Sequence, residues 1–396
     1  MNKIGIVMMT YFSGKSFKAA QMPEIIHRLS EDGQLGLSYG LPYQEDSSVY
    51  SMEELSYLKR SSLCRIVFAV LSNFNKRILR IPHVYQTYES VYGFFAKLYY
   101  RKQVPEIAVM KPRPSFLIEH MKKKGACVIV EASENHTRFT CEQIQKEAAS
   151  LGVEIKESNY VDEKAISDYE KGIHLADGLI CLSEFSKKTY VDRGFPADKI
   201  RVVPLNIELP VDQPQKRDDE LIFVSVAMHS LLKGTYRLIK VWKDYKIKSK
   251  LVIVGAIDQE LQKLINELGP VENVEFWGYK SYSYMREFYC SHRCVGILLS
   301  FSESFGRTIY ECMCTSTPVI VTPYCTLDMV KDGVNGCIVE PAREDEIFSA
   351  VHMFEKLSSN DFYQYQENVY QTVCEHHIDF GKTYVEAVNE LAAIGK

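Results

Sequence analysis

Short apolar runs rich in β-branched residues alternate with longer segments of helical periodicity along the 396-residue chain. The runs predicted to be strands are Lys3–Met9, Glu106–Met110, Ala126–Ala132, Gly178–Leu182 and Ile200–Pro204, followed by Leu221–Ala227, Leu251–Gly255, Val274–Gly278, Cys294–Ser300, Pro318–Thr322 and Gly336–Val339. Strands that alternate with helices form parallel sheets from βαβ units. Two such series, in a chain too long for one ordinary core, predict two Rossmann-like α/β domains.

A polar segment separates the two series of strands. Residues 207–220 contain two prolines and many charges but no helical stripe, which is the composition of a linker. We therefore expect an N-terminal domain at residues 1–206 and a C-terminal domain at residues 221–383. The tail, residues 384–396, has the pattern of an amphipathic helix over Tyr384–Ile394.

The overall composition excludes several classes of protein. Lys and Arg number 47 against 51 Asp and Glu, so no global charge attracts nucleic acid. The longest purely apolar stretch, Ile66–Leu71, is far too short to span a membrane, and no signal peptide is visible. The 11 cysteines form no Cys-x-x-Cys pair. We expect a cytoplasmic protein with reduced thiols and no bound metal.

The segment Leu58–Lys102 differs from the rest of the chain in charge. It holds nine Lys and Arg residues, interleaved with aromatic residues, and Glu89 is its one acidic residue. One interpretation is a helical insertion that packs its aromatic rings inward and leaves a solvated basic face. The other is a surface that lies on an anionic membrane. The sequence leaves both open.

The most informative stretch lies between the strands Cys294–Ser300 and Pro318–Thr322. It predicts a loop followed by a helix of about ten residues that begins near Gly306, with Ser304 as a candidate cap. The N-terminus of a helix attracts anions such as a diphosphate. Glu303 and Glu311 flank this position. They are either solvated acids at a helix start or acceptors for the hydroxyls of a sugar.

The spacing and neighbours of these two acids resemble a known family. Glu303 and Glu311 are separated by seven residues within Ser-x-Ser-Phe-Gly-x-x-x-x-Glu, and Thr-Pro-Val-Ile follows. This resembles the Glu-x7-Glu element of the retaining glycosyltransferases of family 4, which have the GT-B fold. Other segments resemble the family in consistent order: Leu175–Ser186, Lys199–Pro204, Phe223–Ile239, Val252–Gly255, Val274–Gly278 and Asp332–Gly336. The resemblance implies two domains that face each other across a deep cleft, with the C-terminal helix returning to the N-terminal domain.

The resemblance also implies roles for individual residues. The catalytic set would be Glu303, which orients the donor sugar, His136, which faces that sugar, and Lys233, which neutralises the leaving diphosphate. The residues that would bind the donor nucleotide are Glu311 at the ribose, Phe305, Gly306 and Arg307 at the diphosphate, Gly14 from the N-terminal domain, His229, and Gly278 and Tyr279 beside the base.

The family activity is transfer of a hexose-type sugar from a nucleoside diphosphate to an acceptor hydroxyl, with retained configuration and without a metal or cofactor. The resemblance thus implies a nucleotide-sugar donor, with UDP favoured over GDP, and a glycan or lipid-linked glycan acceptor. An enzyme that uses such acceptors in polysaccharide biosynthesis would be expected in the cytoplasm, either free or bound peripherally to the inner face of the membrane.

One departure from the family pattern weakens this expectation. The position five residues before Lys233 is Met228, where the family usually has an Arg, so one cation at the diphosphate is either missing or supplied by another residue, with Arg307 and His229 as the candidates. Two alternatives therefore stay open. One is a sugar-nucleotide epimerase on the same fold. The other is a weakly active or inactive homologue that serves as a partner subunit.

Overall fold

The computed structural model describes residues 2–11, 21–41, 49–74, 84–155, 161–205, 211–216, 219–376 and 378–394. The chain divides into two compact units. The first unit comprises Met1–Arg138, Lys156–Ile207 and Ile378–Lys396, and the second comprises Phe139–Ile155 and Glu208–His377. Each unit contains one parallel sheet with helices, so the predicted α/β architecture with two Rossmann-like sheets is confirmed.

The strands follow one another along the chain in two groups. The first group is β1 (Ile4–Tyr11), β2 (Ser38–Leu41), β3 (Leu58–Arg60), β4 (Ile107–Met110), β5 (Cys127–Ala132), β6 (Gly178–Cys181) and β7 (Ile200–Val202). The second group is β8 (Ile222–Val226), β9 (Lys250–Val254), β10 (Val274–Gly278), β11 (Cys294–Leu298), β12 (Val319–Val321) and β13 (Gly336–Ile338). The predicted strands all occur within a few residues of their expected bounds, whereas β2 and β3 were not predicted.

Helices connect most of these strands. They are α1 (Met22–Glu31), α2 (Met52–Tyr57), α3 (Ser62–Phe74), α4 (Val84–Tyr99), α5 (Ser115–Lys123), α6 (Thr137–Ser150), α7 (Glu163–Leu175), α8 (Glu184–Val191), α9 (Thr235–Asp244), α10 (Gln259–Leu268), α11 (Tyr282–Ser291), α12 (Arg307–Met313), α13 (Glu344–Lys356), α14 (Ser359–Glu375) and α15 (Phe380–Ile394). Short 3₁₀ turns occur at Ala197–Lys199 and Leu231–Lys233.

The first sheet has the strand order β3-β2-β1-β4-β5-β6-β7, and its pairs are parallel. Its two faces bury separate apolar clusters, because successive side chains of a strand point to opposite faces. Ile4 and Ile6 of β1 belong to the cluster that α1 and α15 cover, whereas Val7 belongs to the cluster under α4 and α5. The C-terminal helix α15 thus packs on the first sheet.

The segment Leu58–Lys102 contains β3, α3 and α4. Some of its aromatic side chains are buried in the first unit. Tyr92 and Tyr100 are buried, and their hydroxyls donate to the backbone oxygens of Tyr39 and Leu37 at 2.8 and 2.9 Å. A buried phenol needs such a partner, because an unmade hydrogen bond in the core costs free energy. The inward packing expected for a helical insertion therefore holds for these two rings.

The second sheet has the order β10-β9-β8-β11-β12-β13, again with parallel pairs. Chain direction across the sheet reverses at β8, whose neighbours are β9 on one side and β11 on the other. Loops that leave the carboxyl ends of two such strands diverge, and the crevice between them is the usual ligand site of an open α/β sheet. A ligand-binding site is therefore expected at the loops that follow β8 and β11.

Residues 139–155 join the second unit, although the sequence suggested that they belong to the N-terminal domain. Glu147 of α6 is almost fully buried and accepts hydrogen bonds from Arg237 of α9 at 2.8 and 3.2 Å. Arg237 also donates to Glu344 at 3.1 Å, and Ala148 lies in the apolar core of the second unit. Breaking a buried pair of this kind strands a charge away from water, so α6 is firmly attached to the second unit.

Candidate functional site

Lys233 and Glu303 meet at the carboxyl ends of β8 and β11. Lys233 ends the 3₁₀ turn after β8, and Glu303 lies in the loop after β11. The Lys233 ammonium donates to a carboxylate oxygen of Glu303, and each side chain is about one-fifth exposed. Two residues that stand 70 positions apart in the sequence, and that were both predicted as catalytic, are thus in direct contact.

The backbone around Lys233 is held in place by the strand end beside it. Gly234 has a φ of 66°, and a Cβ atom added there would lie 2.1 Å from the backbone oxygen of Leu299. The Phe301 amide donates to the Leu232 carbonyl at 2.8 Å. Only glycine allows both this left-handed conformation and this close approach. The Lys-Gly pair therefore positions the ammonium through backbone packing.

The loop from β11 to α12 turns at a second glycine. Gly306 has φ 58° and ψ 51°, and a Cβ atom there would lie 2.5 Å from the buried sulfur of Cys325. The N-cap of α12 is Gly306 itself, so the predicted cap at Ser304 is wrong. The helix has seven residues where about ten were predicted, and the positive φ of Ser316 follows soon after its end. So short a helix contributes little macrodipole. An anion bound at its N-terminus would therefore depend on side-chain cations as well.

The second predicted acid, Glu311, forms an ion pair with Arg307. The guanidinium Nε donates to a Glu311 oxygen at 2.6 Å, one helical turn away on α12. Burial raises the pKa of Glu311, while the charge of Arg307 opposes that shift. Both predicted acids are mostly buried and each is held by a cation, so neither is a solvated acid at a helix start.

His229 does not fit the role that the sequence suggested for it. Its ring is fully buried: Nε2 donates to the Val254 carbonyl at 3.0 Å, and Nδ1 accepts from the Thr235 hydroxyl at 2.9 Å. Burial lowers its pKa to about 4, so it is neutral near pH 7. The side chain of His229 therefore supplies no positive charge near pH 7, and Arg307 is left as the candidate to replace the charge that is missing at Met228. The side chain of Met228 beside it is 77% exposed.

Gly278 and Tyr279 follow the edge strand β10. Gly278 has a φ of 63°, and its carbonyl accepts from the Gly255 amide at 2.9 Å, which joins the ends of β10 and β9. Tyr279 is 85% exposed, and the next residue, Lys280, lies 5.0 Å from the ring centre of Tyr284. An exposed phenol ring at the carboxyl edge of the sheet can stack on a flat ligand such as a base.

Two predicted residues belong to the first unit. His136 is buried just before α6, where its Nδ1 accepts from the Arg138 amide at 3.2 Å. Its ring lies edge-on to Tyr190 at 5.3 Å. Because Nδ1 acts as an acceptor, the proton of the neutral ring is on Nε2. Gly14, the other predicted residue, lies outside the described residues.

A polar cleft in the first unit was missed by the sequence analysis. It lies at the carboxyl ends of β1, β4 and β5, and its charged and polar lining residues are Glu89, Lys111, Arg113, Glu131, Ser133, Glu134 and Tyr169. Lys111 is paired with Glu131 and donates to Ser133 at 2.9 Å, while Arg113 lies 3.3 Å from Glu89. These residues come from separate parts of the chain, so no local motif could have revealed the cleft.

Within the residues described, no three His, Cys, Asp or Glu side chains come together in a way that suits a metal ion. Across the same parts of the chain, no helix combines the length and apolar character needed to cross a bilayer.

Comparison with known proteins supports the assignment of the fold. Residues 207–371 match the family of glycosyl transferases group 1. Sucrose-phosphate synthase from Thermosynechococcus elongatus has a similar structure, with a TM-score of 0.71 and 15% identity over 99% of both chains. No curated protein matches the chain in sequence.

Two further solved structures are also similar to this chain. The lipopolysaccharide outer core galactosyltransferase WaaB has a TM-score of 0.62 and 16% identity, over 98% of this chain and 99% of its own. HepE from Anabaena, in complex with UDP and glucose, has a TM-score of 0.62 and 13% identity over 98% and 100%. The chain therefore has the fold of these structures, with two Rossmann-like sheets, and residues 207–371, less than half of the chain, match the glycosyl transferases group 1 family.

Proposed function

We propose that this protein is a retaining glycosyltransferase that moves a hexose-type sugar from a nucleoside-diphosphate sugar to a hydroxyl of a glycan or lipid-linked glycan. The observation that carries the proposal is the contact between Lys233 and Glu303 at the switch point of the second sheet. The pair of Arg307 and Glu311 on the next helix adds a second cation and a second acid.

The proposed chemistry begins with the leaving diphosphate. As the bond from its oxygen to C1 of the sugar breaks, negative charge grows on the phosphate, and a positioned cation in a site shielded from water stabilises that charge strongly. Lys233 is the proposed cation, and it exchanges its contact with Glu303 for one with the phosphate. Arg307 replaces the charge that the family has at the position of Met228.

The two acids then have separate roles. Freed from Lys233, Glu303 accepts hydrogen bonds from hydroxyls of the donor sugar, and Glu311 accepts from the ribose. A carboxylate suits both tasks, because bonds to a charged acceptor are stronger than neutral ones. His136 is the third residue of the proposed catalytic set. We propose no covalent intermediate. The departing phosphate oxygen takes the proton of the acceptor hydroxyl, so the acceptor attacks C1 from the same face that the diphosphate leaves, and the configuration at C1 is retained.

The acceptor is proposed to bind in the polar cleft of the first unit. Carboxylates and cations such as Glu131 and Lys111 match the donors and acceptors of sugar hydroxyls. For the donor, UDP is the first choice to test, since HepE has been solved with UDP and with UDP-glucose. Neutralisation of the diphosphate by two side-chain cations also leads us to propose a reaction that needs no metal or cofactor.

The test is a screen of UDP- and GDP-sugars against the purified protein, with products identified by mass spectrometry. Donor turnover should occur with a UDP-sugar, persist in EDTA, and fall at least 100-fold in Glu303→Ala and Lys233→Ala. Lys248→Ala is the matched control, because that lysine is a largely exposed residue of the second unit. A product epimerised without any acceptor would identify an epimerase, and no binding of any nucleotide would show that the proposal is wrong.

A further inference from the structure

Two helices of the first unit expose an unusual number of large apolar side chains. On α3, Leu63, Ile66 and Val70 are each more than half exposed. Their spacing of three and four residues places them on one side of the helix. Cys64 of the same helix is fully buried, so α3 has a packed face and an outward apolar face.

The neighbouring helix α4 has the same division. Phe94 and Leu98, one turn apart, are each more than half exposed. Tyr92 is buried, and together with Glu89 it lines the polar cleft. The two helices pack against each other, with the rings of Phe68 and Tyr88 5.1 Å apart. Single exposed apolar residues are ordinary, but five on two adjoining helices indicate a contact surface.

The charge around these side chains has one sign. Among the described residues of Leu58–Lys102, the exposed cations are Lys59, Arg65, Lys97, Arg101 and Lys102. The one acid of Leu58–Lys102, Glu89, is mostly buried and lies 3.3 Å from Arg113. The segment that exposes the five apolar side chains is therefore strongly basic, although the whole chain has a formal charge of −4.

We propose that the outward apolar sides of α3 (Leu63, Ile66 and Val70) and α4 (Phe94 and Leu98), together with the exposed cations of the same segment, dock on the surface of an anionic lipid bilayer; we call them the basic apolar face. Apolar side chains enter the boundary between headgroups and acyl chains, while lysine and arginine contact the anionic headgroups. A second copy of the chain is a poor occupant, because two copies of the face would bring like charges together. Nucleic acid is disfavoured because its phosphates offer nothing to five apolar side chains.

This inference extends the proposed function in one respect. Since α4 lines the cleft with Glu89 and Tyr92, docking of its outer face would hold the cleft close to the lipid surface. If the proposed acceptor site is correct, this arrangement favours an acceptor sugar attached to a lipid. The docking itself depends only on the exposed face and can be tested without any enzyme assay.

The test is co-sedimentation of the full-length protein with vesicles of phosphatidylcholine alone, or with one part in three of phosphatidylglycerol. The wild type should bind the anionic vesicles, bind the neutral ones far more weakly, and be released as salt screens the charges. Lys97→Gln with Arg101→Gln should weaken binding about 30-fold, from a contribution near 5-fold for each cation. Leu63→Gln with Ile66→Gln should weaken it about 10-fold or more.

The control is Lys123→Gln with Lys124→Gln, which removes two exposed cations of the first unit elsewhere. It should bind like the wild type. Because all the substituted side chains are exposed, unchanged thermal melting will show that the variants fold. The proposal is overturned if anionic vesicles bind no better than neutral ones, if the control loses as much binding as the test variants, or if gel filtration shows a dimer that Ile66→Gln dissociates.

Discussion

Replacement of Glu303 by glutamine should tighten the binding of UDP while it slows transfer. The substitution keeps the shape of the side chain but removes the charge that holds Lys233 in the ligand-free protein. Under the proposed function, the diphosphate must take the lysine away from this carboxylate. A phosphate oxygen bound to the same ammonium lies within two hydrogen-bond lengths of Glu303, or about 6 Å.

That distance sets the size of the effect. Two unit charges about 6 Å apart repel by about 0.7 kcal/mol in water and about 2.8 kcal/mol at the effective dielectric constant of a protein surface. Removal of the carboxylate charge should therefore raise the affinity for UDP by a factor between about 3 and about 100. Transfer should fall by about 10- to 100-fold, because a sugar hydroxyl loses a hydrogen bond to a charged acceptor worth about 1.5–3 kcal/mol.

Calorimetric titration with UDP measures the first effect, and initial rates at saturating donor measure the second. Glu272→Gln is the matched control, since Glu272 is a highly exposed acid of the same unit. If Glu303→Gln binds UDP as weakly as the wild type or more weakly, then the carboxylate does not compete with the diphosphate for Lys233, and the reasoning is refuted.

Three further predictions concern the support of the site. Gly234→Ala should lower the free energy of unfolding by about 3 kcal/mol or more, because it combines a positive φ with a Cβ clash, whereas Gly125→Ala, with a positive φ but open space, should cost about 1–2 kcal/mol in urea titrations. The pKa of His229 is lowered to about 4, so the unfolded chain binds its proton first as the pH falls. Stability should consequently fall by about 3 kcal/mol between about pH 6.5 and pH 4, and the pH dependence of melting should lose this slope in His229→Gln. Arg307→Gln removes the cation that opposes the raised pKa of Glu311. As the pH falls, the KM of this variant for the donor should begin to rise at a higher pH than that of the wild type, and an identical pH dependence of KM would contradict this.

The second sheet was predictable because its strands carry their own signal. Strands such as β9 and β11 are buried on both faces, so they read as continuous apolar runs. In contrast, β2 is only Ser-Tyr-Gly-Leu, and β3 is Leu-Lys-Arg. These short, polar segments become strands through their pairing with β1 and with each other, which is a property of the tertiary fold.

The candidate site was predictable as a set of residues but not as an arrangement. The motif identified Lys233 and Glu303 separately, and their contact depends on the pairing of β8 with β11. The burial of His229 could not be predicted, because adjacent residues after a strand can point in opposite directions. Met228 is exposed while His229 is fully buried, and nothing in the sequence distinguishes the two orientations.

A crystal structure of the protein with UDP would test the central claim most directly. We predict that Lys233 leaves Glu303 and that its ammonium lies about 3 Å from an oxygen of the diphosphate, with the ribose beside Glu311. UDP bound elsewhere, or a diphosphate bound while Lys233 remains paired with Glu303, would contradict the proposed role of this site.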